Sequence, residues 1–262
     1  MKRYLKVYKK LLAINFSNLI VYRTNFVNNI LASLSWGGLI LIQMLLLTSR
    51  SNNSFGWSRD EILLFTGIFS TIISIFHMFI TPNFEMLSRN INLGKLDHML
   101  LKPLDSQFLS SVWLVNYATF IRLILSIVFT GYFLNRLSFS LTILNVGFYL
   151  ILLLLGFVVL YSLWLLVISL LFWFTRLTNI VELMFSITGM SRFPGEMFSQ
   201  FSRLLFFLIF PILFIVFVPT KIFLGRYQFN DLPFLIFIAI VMSYGSRKFW
   251  LFALKHYTSA GG

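Results

Sequence analysis

Side chains suited to proton transfer or metal binding are scarce in this chain: three histidines, eight carboxylates and no cysteine among 262 residues. His77, His98 and His256 lie far apart in sequence, and no H-E-x-x-H sets two of them one helical turn apart. A zinc site built on them would need acidic ligands at convenient spacing, and these are missing. No serine stands in a pattern that pairs it with a histidine base, and without cysteine there is neither thiol chemistry nor a disulfide. The phosphate-cradling loop G-x-x-x-x-G-K-[ST] is also missing, so the chain is not expected to hydrolyse ATP. No catalytic residue, metal site or cofactor is assigned.

The ionisable groups of interest fall in two settings. His77, Arg122 and Glu182 stand within or beside apolar runs, where such groups are costly and often functional. Arg122 suits a structural pairing or a side chain snorkelling toward the interface, and alternatively a contact to substrate. His77 suits an interhelical hydrogen bond better than a proton relay, and Glu182 suits a headgroup boundary. The second setting is one island, "FEMLSRNINLGKLDHMLLKPLDSQF" at 84–108, which holds Glu85, Asp97 and Asp105 with Arg89, Lys95 and Lys102.

Composition dictates the elements that must position these groups. Hydrophobic residues make up 58% and charged residues 11%, against about 25% charged in soluble domains. That leaves too little polar surface to cover a water-soluble particle, and the reading is an integral membrane protein. The net charge of +13 is dispersed among apolar runs rather than gathered on one face, which argues against nucleic acid. It fits the accumulation of lysine and arginine at cytoplasmic helix ends, beside anionic lipid.

Residues 1–22 read as an amphipathic helix in the headgroup plane. Leu5, Tyr8 and Leu12, with Tyr4 and Leu11, share one face, and Lys2, Lys6, Lys9 and Lys10 fall largely on the other. Asn15, Ser17 and Asn18 interrupt the apolar run and no small-x-small cleavage site follows, so a signal peptide is not expected. Spans of roughly 20 apolar residues are predicted near 26–47, 61–81, 108–134, 142–173 and 231–250. The fourth run would be about 48 Å long as a helix and must tilt or protrude, with Trp164 and Trp173 marking its cytoplasmic end.

Residues 174–230 admit two readings. In one, 174–202 is a cytoplasmic amphipathic segment and 203–225 the fifth span. In the other, 178–193 is a short fifth span and 194–230 an extracellular re-entrant region, its half-helices interrupted around Pro194, Pro211 and Pro219. Both give six spans with both termini on one side, and under either most of the 21 lysines and arginines fall on that side. The termini and the 82–107 loop are therefore expected in the cytoplasm. No internal repeat is visible, and 1–262 reads as one membrane domain.

Within the island, Glu85 to Asn92 is expected to continue helically from the second span until Gly94 stops it with a positive φ. Asp97 is a candidate N-cap for "HMLLK", Pro103 ends that helix, and Asp105 and Ser106 cap the third span. Leu96, Met99, Leu100 and Leu101 give the short helix an apolar face, rimmed by Lys95, His98 and Lys102. Such a helix fits a groove on a partner; the alternative is a solvated loop resting on headgroups.

Three segments carry a resemblance. "INLGKLDHMLLKPL" resembles the loop between the second and third spans of ABC-2-type transporter permeases, closest to a subgroup of about 260 residues with a recurring glycine, Leu-Asp and Pro-Leu, here Gly94, Leu96, Asp97, Pro103 and Leu104. "RFPGEMFSQFSRLLFFLIFPILFIVFVPTKIFLG" is similar to the same subgroup's stretch of an aromatic-Pro, an arginine and two spaced prolines. "LFALKHYTSA" resembles its closing tail. The resemblance implies an all-α membrane fold with six transmembrane helices, an N-terminal connecting helix, a cytoplasmic coupling helix and re-entrant half-helices before the last span. It implies two permease subunits, identical or paralogous, each docking one copy of a separate ATPase that binds ATP and Mg. Glu85, Arg89, Gly94, Lys95, Leu96, Asp97, Leu100, Leu101 and Pro103 would form the ATPase-coupling site. The expected activity is export of an amphiphilic or lipid-like compound, drug or peptide across a bacterial cytoplasmic membrane, with lipid as a further partner. A non-transporting immunity or structural protein and a channel are the alternatives.

Overall fold

A computed structural model describes residues 2–49, 53–54, 56–139, 142–174, 179–208, 211–226 and 228–257. Positions 209, 210 and 227 of the expected re-entrant region, and the tail beyond Tyr257, lie outside the described residues. Among the described residues five helices are long and apolar enough to cross a membrane: α2 (Arg23–Thr48), α3 (Arg59–Phe79), the stretch Tyr117–Arg136 that contains α7 (Phe120–Arg136), the stretch Ile143–Phe172 that contains α8 (Ile143–Ser169), and α12 (Asp231–Leu254). A two-residue hairpin, β1 (Asn53–Ser54) with β2 (Trp57–Ser58), precedes α3.

α3 is the central element. Its window is 78% buried, against 6% for α2, so α3 packs on protein while α2 turns most of its surface outward. A capping box starts it: Ser58 Oγ accepts from the Glu61 N–H and the Glu61 carboxylate accepts from the Ser58 N–H. α7 runs antiparallel to α3, joined by Arg136–Asp60 at one end and Arg122–Ser74 at the other. Gly67 makes this approach possible, because a Cβ there would sit 2.6 Å from Thr130 Oγ1. α12 runs in the same direction as α8; Phe172 meets Trp250, and Trp173 meets Phe249 and Phe252.

The predicted third span is interrupted. Ser106–Val112 forms a separate short helix, α6, and the chain unwinds from Trp113 to Asn116 before Tyr117–Thr119 restarts it as a 3-10 turn. The cause lies 31 positions away, in the fully buried Asn83. Its carboxamide oxygen accepts from the Leu114 N–H at 2.7 Å, and its nitrogen donates to the Leu114 carbonyl at 2.8 Å and the Phe79 carbonyl at 2.7 Å. The Asn116 N–H reaches the Met78 carbonyl at 2.8 Å, and Asn15 Nδ2 donates to the Trp113 carbonyl at 3.0 Å. An unwound segment in an apolar setting persists only when its backbone groups are matched in this way.

Asn15 belongs to α1 (Lys2–Val21), which meets α2 at a kink where Tyr22 adopts φ −108°, ψ 55°. α1 lies along the segment that follows the island, through Tyr4 on Phe108 and Phe16 on Tyr117.

Residues 203–225 are not the continuous helix that the first reading of 174–230 expects. The described chain there consists of α9 (Ile180–Gly189), 3-10 turns at Met190–Arg192 and Gly195–Met197, α10 (Gln200–Leu208), a 3-10 turn at Ile212–Phe214 and α11 (Phe217–Phe223). Phe185 contacts His77 near one end of α3, whereas Glu196 accepts from Trp57 Nε1 at the other. The chain thus travels the length of α3 between these residues. Pro194 separates two 3-10 turns and Pro211 precedes a third. Pro219, expected as a break, instead sits in the first turn of α11, where a missing N–H costs nothing. Residues 211–220 are all buried. The Ile215 carbonyl lies so close to Gly156 of α8 that no side chain fits there. Broken apolar structure is thereby packed on protein rather than lipid. Trp164 is not an interfacial marker: it is fully buried and donates to Thr188 Oγ1 at 3.0 Å. Trp173 does lie at the helix end, partly exposed.

Asn83→Leu leaves the Leu114 N–H and carbonyl buried without partners. The expected loss is about 2–4 kcal/mol, read as a lowered midpoint in denaturant titrations of detergent-solubilised protein, and Asn83→Asp keeps part of it through the retained acceptor.

Candidate functional site

The island folds as α4 (Thr81–Asn92), a turn, α5 (Asp97–Leu100) and a bent link to α6. α4 continues from α3 almost without pause, with Pro82 in its first turn. Gly94 has φ +63° and closes α4, as the sequence predicts. Asp97 is not an N-cap: it is the first residue of α5, behind Leu96, and no side chain caps that helix. Asp105 does cap, accepting from the Phe108 N–H at 3.0 Å, but it caps α6 rather than a continuous third span.

The expected apolar face of the short helix is split. Leu96 and Met99 are buried at 1% and 2%, anchoring the helix from beneath, whereas Leu100 is 36% and Leu101 84% exposed. Lys95, His98 and Pro103 are exposed around them, and Arg89 is exposed on α4. Lys102 places its ammonium 3.7 Å from the Trp113 ring centroid. Glu85 is half-buried; burial pushes its carboxyl above the ordinary value, Arg89 opposes this, and Glu182 of α9 adds to it.

Four other elements hold this segment. From α12, Arg247 makes a two-pronged ion pair with Asp105 and donates to Gln107 Oε1 at 2.9 Å, while Trp250 Nε1 donates to Ser106 Oγ at 3.1 Å. From α8, Tyr161 bonds Ser111 and Gln107 at 2.7 and 2.9 Å. Beyond α12, Tyr257 Oη accepts from the Leu96 N–H at 3.1 Å. From α1, Tyr4 Oη accepts from the Asp105 N–H at 3.3 Å. The result is a platform fixed to both ends of the chain, with two leucines standing off it.

The intramembrane polar groups divide. Arg122 and His77 come together: Arg122 Nη2 lies 3.1 Å from His77 Nδ1 and its Nε donates to Ser74 Oγ at 3.0 Å. Guanidinium only donates, so His77 Nδ1 is the acceptor and its proton is on Nε2. Arg122 also packs on Gly37 of α2, where a Cβ would sit 3.1 Å from its Cδ. Glu182 is not part of this cluster; it is exposed on α9, close enough to Glu85 to act on it. Among the described residues no group of three His, Asp or Glu could hold a metal.

A family profile described as ABC-2 family transporter protein matches residues 34–261. The chain belongs to the ABC-2 transporter family. It is thus a multi-pass membrane permease, a component that is not itself catalytic. No curated protein and no solved structure matches it. Seen as an ABC-2 permease, its sequence concealed several anchors. Arg247 reads as one more topological cation, and Asn83 and Asn15 as ordinary polar residues near span ends. Among these anchors of the platform, Asp105, followed three residues later by the start of an apolar run, carried a readable cap signal.

Burial would raise the Asp105 carboxyl; the Arg247 hydrogen bonds, the Phe108 N–H and the Arg247 charge outweigh it and hold the group below its ordinary value of 3.8. A carboxylate depressed in the folded state stabilises fully above its unfolded value, and the contribution disappears as pH falls through the folded one. Because the pair is about one-third exposed, it contributes on the order of 1 kcal/mol. Asp105→Asn is expected to lose that increment at pH 7 and to show a flatter loss of stability than the native protein as pH falls below 4, measured by thermal melts in detergent.

Proposed function

We propose that this permease is the translocation subunit of an exporter driven by a separate ATPase, and that α5 is the element the ATPase pushes. The observation that carries this reading is the pairing of exposed Leu100 and Leu101 with a base locked to α1, α8, α12 and Tyr257. A helix that must transmit force needs an apolar tip for a partner's groove and a stiff root, and it has both. Leu96 then acts in the root, not at the tip. Two ATPase copies would bind ATP and Mg, close on one another, and carry two such platforms with them. ATP drives the cycle only through tighter binding to the closed arrangement.

Six crossings make the best reading of the path. α8 and α12 run the same way, so the chain must return between them. The stretch from Phe185 to Glu196, which follows α3 from end to end, supplies that return. This supports the short fifth span, with α10 and α11 read as the re-entrant half-helices outside. Both termini and α5 are then cytoplasmic, in keeping with the distribution of basic residues. A second permease, identical or paralogous, completes the pathway in the bacterial plasma membrane. Membrane-facing phenylalanines, of 32 in the chain, suit an amphiphilic cargo.

Leu101→Asp should abolish recovery of ATPase with tagged permease while leaving permease yield unchanged. Single cysteines test the topology: Leu101→Cys should label from the cytoplasm, and Gln228→Cys and Gln200→Cys from outside. Retention of the ATPase by Leu101→Asp, or external labelling at position 101, overturns the reading.

A further inference from the structure

A pocket of about 180 Å³ opens where α1, α2 and the unwound third span meet. Five of its walls come from one stripe: Asn15, Asn18, Tyr22, Asn25 and Asn29, spaced three and four residues apart through the kink at Tyr22. That spacing aligns them on one helical face. Opposite stand Asn116 and Tyr117, on the segment that Asn83 holds unwound. Among the described residues no charged side chain lines it.

Two of the amides are structural. Asn15 donates to the Leu11 and Trp113 carbonyls, and Asn116 accepts from the Ala118 N–H. The carboxamides of Asn18, Asn25 and Asn29 make no hydrogen bond among the described residues. Carboxamides are expensive on a helix entering a membrane, and three unpaired ones facing a single cavity hold donors and acceptors in readiness for something else. A carboxamide both donates and accepts, so an array of them without a charge suits hydroxyls rather than phosphate, carboxylate or ammonium. The volume corresponds to roughly six waters at ~30 Å³ each, which is room for one sugar-sized group.

We propose that this pocket binds the uncharged, hydroxyl-rich headgroup of an amphiphile, with its acyl chains lying along the apolar outer face of α2. Leu31, Leu39, Ile42 and Leu46, each more than half exposed, form that face. The same chemistry could belong to the cargo or to a resident bilayer lipid, and the cargo assignment alone rests on the export reading above.

Native mass spectrometry of the full chain in a zwitterionic detergent tests binding, with monoglucosyl diacylglycerol, phosphatidylcholine and phosphatidylglycerol offered at equal concentration. A one-to-one glucosyl lipid adduct is expected, reduced roughly tenfold in Asn25→Leu/Asn29→Leu, as the loss of two hydrogen bonds implies. Both positions are exposed and Leu favours helix, so the variant folds; Phe237→Ala, exposed on α12 and outside both the pocket and that face, serves as control and keeps the adduct. Equal retention of the three lipids, an adduct indifferent to the double variant, or none with native protein overturns the proposal, leaving the pocket to water. The source is then read in spheroplasts from the periodate-accessible fraction of the glucosyl lipid. A fall in the double variant assigns the headgroup to the cargo. An unchanged fraction, when the native protein holds the adduct and the double variant has lost it, assigns it to a resident lipid and leaves the site standing.

Discussion

An unmatched backbone group in hydrocarbon costs several kcal/mol, and in this protein a single carboxamide answers that demand at the most consequential place. Asn83 pairs with both backbone groups of Leu114 and so lets the third span stop and restart. Everything below the break, α4 to α6, becomes one block, and everything above it belongs to the tight α3–α7 pair. Asn15 closes the arrangement from the N-terminal side. Without the break, α6 and α7 would form one continuous rod, and the platform that presents Leu100 and Leu101 would lose its separate orientation.

The long spans were legible because length and hydropathy suffice for a helix that must match a bilayer. Four of the five apolar runs appear where the sequence puts them, the third keeps only its 117–136 part, and Gly94 takes the positive φ its position requires. The misread places have a common cause. "WLVN" at 113–116 is as apolar as its neighbours, and nothing local announces that a distant asparagine unwinds it. Pro219 looked like a break because position within a helix, not residue type, decides what proline does. Trp164 looked like a membrane-surface anchor until Thr188 supplied its partner indoors.

The segment 84–108 was legible as a segment and illegible in its attachments. Composition marked residues 84–108 as polar between two greasy runs, and local rules found the Gly94 turn and the Asp105 cap. Which leucine faces in and which out depends on what lies beneath, and that floor is built from α8, α12 and Tyr257, up to 161 residues away in the chain. Arg247 shows the difficulty best. Its charge reads as topology in the sequence, yet its guanidinium closes the ion pair that fixes α12 to the platform.

Arg122 has a further physical consequence. It is a nearly buried cation whose observed partners, Ser74 and His77, bring no negative charge. A guanidinium stays protonated in such surroundings, so among the described residues the α3–α7 pair holds a positive charge with no anion bonded to it. In an energised cell, displacing one elementary charge across the full membrane field is worth about 2.3 kcal/mol per 100 mV. Any sliding of this pair along the bilayer normal is therefore electrically audible, and the resting voltage itself weighs on which position the pair occupies.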